Sequence, residues 1–261
     1  MGLIYTQKIC CSHANEIDVF LVAGQSNAKG RATDAPSPTV TGDSILQVND
    51  GIISVANDSV GVGIYQAVNY SAWPQFGITY NQLTGRKIAF VPSAVSGTGQ
   101  QANTDIGFGN WSPSGTLFNT SLVKLDSAMS ALSNANYYPI FKGILWLQGE
   151  NDADGINAST ATQQGYIDAF RLMMANYRNL YGSTMKFYVI RIGTRVGFSD
   201  VGYSQIRDAQ ELVASTTPYT KIIYRGTITF PARGLMNDAY HYKVAGYNEI
   251  GSMGAPEVIN F

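Results

Sequence analysis

The chain holds two histidines, His13 and His241, and His241 stands close to a carboxylate in Asn237-Asp238-Ala239-Tyr240-His241. Asp238 and His241 are three residues apart, so a turn can bring the carboxylate to one imidazole nitrogen. The other nitrogen is then free to face a serine hydroxyl. Ser26 is the hydroxyl best placed to receive it. It lies in Gly24-Gln25-Ser26-Asn27, where an apolar run breaks off into a small, polar turn. Taken singly, these features have plainer explanations. Ser and Asn are favoured helix caps, and a lone Asp-x-x-His arises by chance as a surface pair. Two further turns change the balance. Gly97 offers a backbone N–H without side-chain obstruction, and Gln148 offers a side-chain amide. Joined with the N–H of Ser26, they would surround the oxyanion of a tetrahedral intermediate.

Such a constellation needs a scaffold that brings these turns to one edge. Ile17 to Ala23 has the length and β-branched content of a buried strand, and its continuous apolar character suits a parallel strand covered on both faces. Gly24 permits the tight turn that follows. Lys87 to Val91 and Ile140 to Leu147 read as further strands ending at Gly97 and Gln148. Two β-like runs around Asn49-Asp50-Gly51 read as a hairpin. Helices are expected from Pro74 to Thr84, from Phe118 to Leu132, from Tyr166 to Leu180, from Tyr203 to Ala214 and after Lys243. Strands alternate with helices about five times, which predicts an α/β fold: a three-layer α/β/α sandwich around a mainly parallel sheet of about five strands. Residues 1–16 read as an N-terminal arm containing His13, and 17–261 as a single domain. In an open sheet of this kind the carboxyl ends of the strands face the ligand crevice.

Composition narrows the partners. Charged residues make up 13% of the chain, about half of the usual ~25%. Polarity comes from Ser, Thr, Asn, Gln, Gly and sixteen Tyr, a surface suited to neutral, hydroxyl-rich ligands. With a net charge of −1 there is no basic field for nucleic acid or an anionic membrane. No apolar run reaches transmembrane length. The two cysteines, Cys10 and Cys11, are adjacent, which excludes a fold-spanning disulfide and a cysteine-based metal framework. No cofactor or metal is expected. The first sixteen residues lack the apolar core of a signal peptide, and the compartment stays open, with an extracellular, cell-surface or virion-surface setting favoured.

Gly24-Gln25-Ser26-Asn27, Ala94-Val95-Ser96-Gly97-Thr98, Gln148-Gly149-Glu150-Asn151-Asp152 and Asp238-x-x-His241 together resemble the four blocks of the SGNH hydrolases. The resemblance is to the sialate O-acetylesterase and acetyl xylan esterase branch, carbohydrate esterase family six, which has Gln-Gly-Glu where other branches have Gly-x-Asn-Asp. It runs from about Asp18 to Gly251. It implies an SGNH-type, flavodoxin-like fold and metal-independent removal of O-acetyl groups from sugars through an acyl-enzyme. In that reading Ser26 is the nucleophile, His241 the base and Asp238 its orienting partner. The oxyanion donors are the Ser26 backbone, Gly97 and Gln148, with Glu150 and Asn27 in support. The family's second block usually carries two glycines before Thr, and here the first is Ser96, which leaves Ser96 and Gly97 both open as the second donor.

Two rival functions share this fold: a non-catalytic glycan- or receptor-binding module, and a lipid or thioester hydrolase. An acidic sugar would call for a basic pocket residue, with Arg31, Arg191 and Arg195 as candidates. A neutral polysaccharide would call for an aromatic platform, with Trp73 or Trp111. Gly42-Asp43-Ser44-Ile45-Leu46 mimics a Gly-Asp-Ser-Leu signature but precedes an apolar run, so Ser44 reads as the start of the hairpin. Glu150, Asp152 and Asp154 read as solvated loop carboxylates.

Overall fold

The computed structural model describes residues 15–57 and 70–261. The expected arm with His13, Cys10 and Cys11 lies outside the described residues. β1 (Glu16–Gly24) is buried from Ile17 onward, as its unbroken apolar sequence requires of a strand covered on both faces. A short helix, α1 (Ser26–Lys29), follows after one linking residue, Gln25.

The remaining strands are β2 (Ile45–Asn49), β3 (Ile52–Val55), β4 (Lys87–Pro92), β5 (Tyr138–Leu147), β6 (Phe187–Ile190) and β7 (Thr220–Tyr224). The longer helices are α2 (Trp73–Thr84), α3 (Thr116–Asn134), α4 (Glu150–Asn157), α5 (Gln163–Tyr181), α6 (Val201–Thr216) and α7 (Val244–Ile259). The sheet runs β3-β2-β4-β1-β5-β6-β7. All neighbours are parallel except the β2–β3 hairpin. Seven strands replace the expected five because the hairpin joins the sheet: β2 pairs in parallel with β4, and β3 forms the edge. Ser44 stands just before β2, and its carbonyl accepts the N–H of Ile88. It therefore sits at the opposite end of the sheet from a strand's carboxyl terminus.

Alternation along β6 shows how the two helical layers are filled. Phe187 packs edge-on against Phe170 and Tyr177 of α5, while Tyr188 meets Phe20 of β1 on the other face. Phe20 in turn contacts Phe76 and Tyr80 of α2, and α2 packs along α7. Trp73 and Trp111, candidates for a sugar platform, are fully buried. The Trp73 indole donates to the Ala28 carbonyl at 2.6 Å, and Trp111 stacks edge-on with Trp146. They are core, because indoles of this area bury when a polar partner is available for the N–H.

Inside this apolar frame lies one carboxylate that the sequence reading passed over. Asp18, fully buried on β1, accepts two bonds from Arg86 at 2.6 and 2.7 Å and one from the Tyr80 hydroxyl at 2.7 Å. Arg86 also pairs with Glu16 at 2.9 Å. The cluster ties the start of β1 to the turn between α2 and β4, away from the carboxyl edge.

Chain order reverses direction across the sheet at β1, with β4 on one side and β5 on the other. The loops after β1, β4 and β5 therefore converge at a topological switch point, where open α/β sheets bind ligands.

Candidate active site

Gly24 sets the geometry of the turn that presents Ser26. Its φ is 130°, a conformation that side chains rarely adopt. A Cβ there would lie 2.1 Å from the Leu147 carbonyl oxygen. The same carbonyl accepts the N–H of Gln25 at 3.0 Å. Ser26 then opens α1, so its N–H has no partner within the helix.

His241 reaches Ser26 from 215 residues away, with Nε2 to Oγ at 3.0 Å. Asp238 Oδ2 lies 2.7 Å from His241 Nδ1. Oδ1 of the same carboxylate accepts the N–H groups of Tyr240 at 2.8 Å and His241 at 2.9 Å. Partial burial works to raise the Asp238 carboxyl. The bonds from the imidazole and the two backbone groups outweigh it and hold the carboxyl below its usual range. Asp238 thus stays an acceptor and fixes which imidazole nitrogen faces it.

The loop carrying this pair is braced from several sides. Asn27 donates to the Tyr240 carbonyl at 3.1 Å and to Glu150 Oε1 at 2.7 Å, and accepts from the Tyr247 hydroxyl at 2.8 Å. Val196 N–H donates to the Ala239 carbonyl at 2.9 Å. The Tyr240 hydroxyl donates to Asp154 at 2.9 Å, and the Arg195 guanidinium lies 4.4 Å from the Tyr240 ring centre. The Ser26 turn and the histidine loop are therefore coupled through Asn27.

A cavity of about 270 Å³ opens beside these residues, lined among others by Gln25, Ser26, Arg31, Ser96, Gly97, Asn151 and His241. Gly97 takes φ 75°, and its carbonyl accepts from Asn151 Nδ2 at 2.6 Å. Gln148 is not at the cavity. It is fully buried, and its amide nitrogen lies 2.6 Å from Asp152, 3.2 Å from the Thr98 carbonyl and 3.3 Å from Gln25 Oε1. Its backbone carbonyl accepts from Gln210 and Tyr166. An amide so committed has no hydrogen left to offer an oxyanion, so the expected third donor is placed elsewhere.

The residue that the sequence reading missed is Asn151. Its side-chain amide has a second N–H beyond the one bound to Gly97, and it lines the cavity. A signal was present: Gly149-Glu150-Asn151-Asp152 itself spells the Gly-x-Asn-Asp of the other SGNH branches.

The acidic residues of this turn are not a solvated loop either. They form α4, with Glu150 and Asp152 buried. Asp152 accepts from the N–H groups of Gln100 and Gln101, from the Gln101 and Gln148 amides and from Thr104, which pins the loop after β4. Glu150 has one oxygen on Asn27 and the other without a partner among the described residues. Burial pushes its carboxyl up to about 7, only partly offset by the Asn27 bond.

The three candidate arginines separate. Arg191 is held by Glu211 and the Arg225 carbonyl. Arg195 pairs with Asp154 and lies against Phe198 and Tyr240. Arg31 lines the cavity, and no carboxylate among the described residues pairs with it.

Comparison with known proteins agrees with this arrangement of elements. The structure is similar to that of an Arabidopsis thaliana protein, with a TM-score of 0.66 at 18% identity over 93% of this chain and 98% of the other. It is similar to NanS, with a TM-score of 0.62 at 15% identity over 95% and 98%. A carbohydrate acetylesterase from Xanthomonas citri gives 0.61 at 18% identity, over 92% of this chain and 56% of the other. At these identities the likeness establishes the fold. No curated protein sequence matches. The family described as carbohydrate esterase, sialic acid-specific acetylesterase, matches residues 16–260, and the chain therefore belongs to that family of carbohydrate O-acetylesterases.

Proposed function

We propose that residues 17–261 form one esterase domain in which Ser26 removes O-acetyl groups from sugars through an acetyl-enzyme. The observation that carries this reading is the Ser26–His241–Asp238 chain of contacts at 3.0 and 2.7 Å. His241 Nε2 takes the Ser26 proton as Oγ attacks the acetyl carbonyl, and Asp238 stabilises the imidazolium. Collapse of the tetrahedral intermediate expels the sugar oxygen, which receives the proton from His241. Water, deprotonated by the same nitrogen, then attacks the acetyl-serine and releases acetate. The developing oxyanion is met by the backbone N–H of Ser26, the backbone of the Ser96–Gly97 turn and the Asn151 amide, all at one cavity. Neither a metal nor a redox group is needed to balance these steps.

The decisive experiment compares acetate release by wild type and Ser26→Ala. The variant's kcat falls by roughly 10⁴–10⁶, and wild type quenched during turnover carries one acetyl group on the peptide containing Ser26. Wild-type rates from Ser26→Ala exclude the assignment.

Arg31 refines the substrate. A guanidinium at the cavity that no carboxylate among the described residues pairs with suits an acetylated sugar that also bears a carboxylate, which it can bind in a two-pronged contact. Arg31→Gln lowers the ratio of kcat/KM for acetylated sialic acid to that for acetylated xylose by about 10–100-fold. An unchanged ratio would show that Arg31 does not read the carboxylate.

A further inference from the structure

The cavity of about 270 Å³ beside Ser26 is slightly below the ~300–1,000 Å³ of ordinary small-molecule sites. In the reading proposed above the acetylated sugar enters this cavity, and a longer glycan would pass over its rim. One part of that rim takes no part in the mechanism above. Ile106 lines the cavity with Ser26 and Gly97, yet is 67% exposed, and Phe108 is 59% exposed. The Phe108 ring lies against the Gly97 backbone, close enough that a Cβ on Gly97 would stand 2.9 Å from Cδ2.

This exposure does not come from a loosely held loop. Asp105 Oδ1 accepts the N–H groups of Gly107 at 2.8 Å and Gly109 at 2.9 Å, and Oδ2 accepts from Asn110 at 3.3 Å. The segment is closed by buried Trp111, whose N–H donates to the Gly99 carbonyl and whose indole donates to Thr98. Two large apolar side chains are thus held in water beside a reactive cavity, the pattern expected of a ligand contact. Phe198, another exposed ring beside the histidine loop, already stacks on the Arg195 guanidinium at 3.4 Å. Among the described residues no ring or cation stacks on Phe108.

We propose that Ile106 and Phe108 form a second sugar subsite, on which the pyranose next to the acetylated residue lays its C–H face. The preferred substrate is then an acetylated oligosaccharide or polysaccharide, not a free acetylated sugar. The C–H groups of a pyranose face are weakly positive and apolar, which matches the negative face of an aromatic ring. This inference rests on the carbohydrate-esterase reading and adds to it the length of glycan recognised.

The test measures kcat/KM on two pairs of probes. One pair is acetylated xylose and acetylated xylotetraose; the other is 9-O-acetylated sialic acid, free and at the end of sialyllactose. Wild type favours the longer member of at least one pair. Phe108→Ala lowers that chain-to-free ratio about tenfold, chiefly through KM, and Phe108→Trp restores it. Equal wild-type efficiency within both pairs overturns the subsite and leaves the esterase reading standing. A Phe108→Ala variant that loses activity on both members alike also overturns it. Cleavage of 4-nitrophenyl acetate with no acetate from any of the four sugars instead overturns the carbohydrate reading, and the subsite with it.

Discussion

Gln148 and Asn151 carry the same side-chain amide three residues apart, and their surroundings give them different work. Gln148 points inward, where three acceptors occupy its nitrogen. Asn151 spends one N–H on Gly97 and lines the cavity. Asn151→Ala should therefore lower kcat by about 10²–10³ with a smaller change in KM, as measured by steady-state acetate release. A Gln148→Ala variant loses the brace between the loops after β1, β4 and β5, so its loss is read in thermal stability as well as activity. The sequence points to Gln148 and not to Asn151, because it does not assign the directions of the two amides. Which one reaches the cavity depends on where Asp152 lies, and Asp152 is a buried acceptor where the sequence alone suggests a solvated one.

Among the elements, β1 and its turn were legible because their requirements are local. A buried parallel strand needs an unbroken apolar run, and the turn after it needs a residue that accepts φ 130°. Gly24→Ala places a methyl 2.1 Å from the Leu147 carbonyl, on a backbone conformation that already costs an L-residue ~1–3 kcal/mol. We expect a loss of at least ~3 kcal/mol in urea unfolding, along with displacement of Ser26 and loss of activity. An unchanged unfolding midpoint would show that the strand can shift without cost. By contrast, α4 was not legible. Its buried residues are Glu150, Asp152, Ala153 and Gly155, so it lacks the repeating large apolar side chains that mark a helix, and it is stabilised by hydrogen bonds from residues distant in sequence. The hairpin was read from Asp50-Gly51, yet its place beside β4 is a long-range pairing that turn chemistry does not specify.

At the scale of the molecule, Glu150 joins the carboxyl edge of the sheet to overall stability. Its carboxyl sits at about 7 because it is buried, against roughly 4.3 in an unfolded chain. The folded form therefore binds a proton more readily than the unfolded form. The stability from this group is fully present below about pH 4.3 and is lost as pH rises through 7, a change of order 3 kcal/mol. Glu150→Gln removes that titration. The fall in urea midpoint between pH 5 and pH 8 should shrink in the variant relative to wild type, and identical pH profiles would show that Glu150 does not titrate in this range. The same carboxylate holds Asn27, which also contacts the Tyr240 carbonyl and Tyr247. Charge at one buried oxygen thus bears on both the Ser26 turn and the loop that carries His241.

What the sequence alone determined were the properties set by short range: strand and helix types, the Gly24 turn, and the reach of Asp238 to His241 across three residues. It also placed Ser26, Gly97 and Gln148 in the turns after strands, because an α/β alternation brings those ends to one edge, and His241 in the loop before the last helix. Only the tertiary structure decided which amide reaches the cavity, that the acidic turn is buried, that Trp73 and Trp111 are core, and that Arg31 is the one of the three candidate arginines that lines the cavity. Each of these depends on which polar group is already satisfied by a partner far along the chain. That accounting closes only when the loops are packed together.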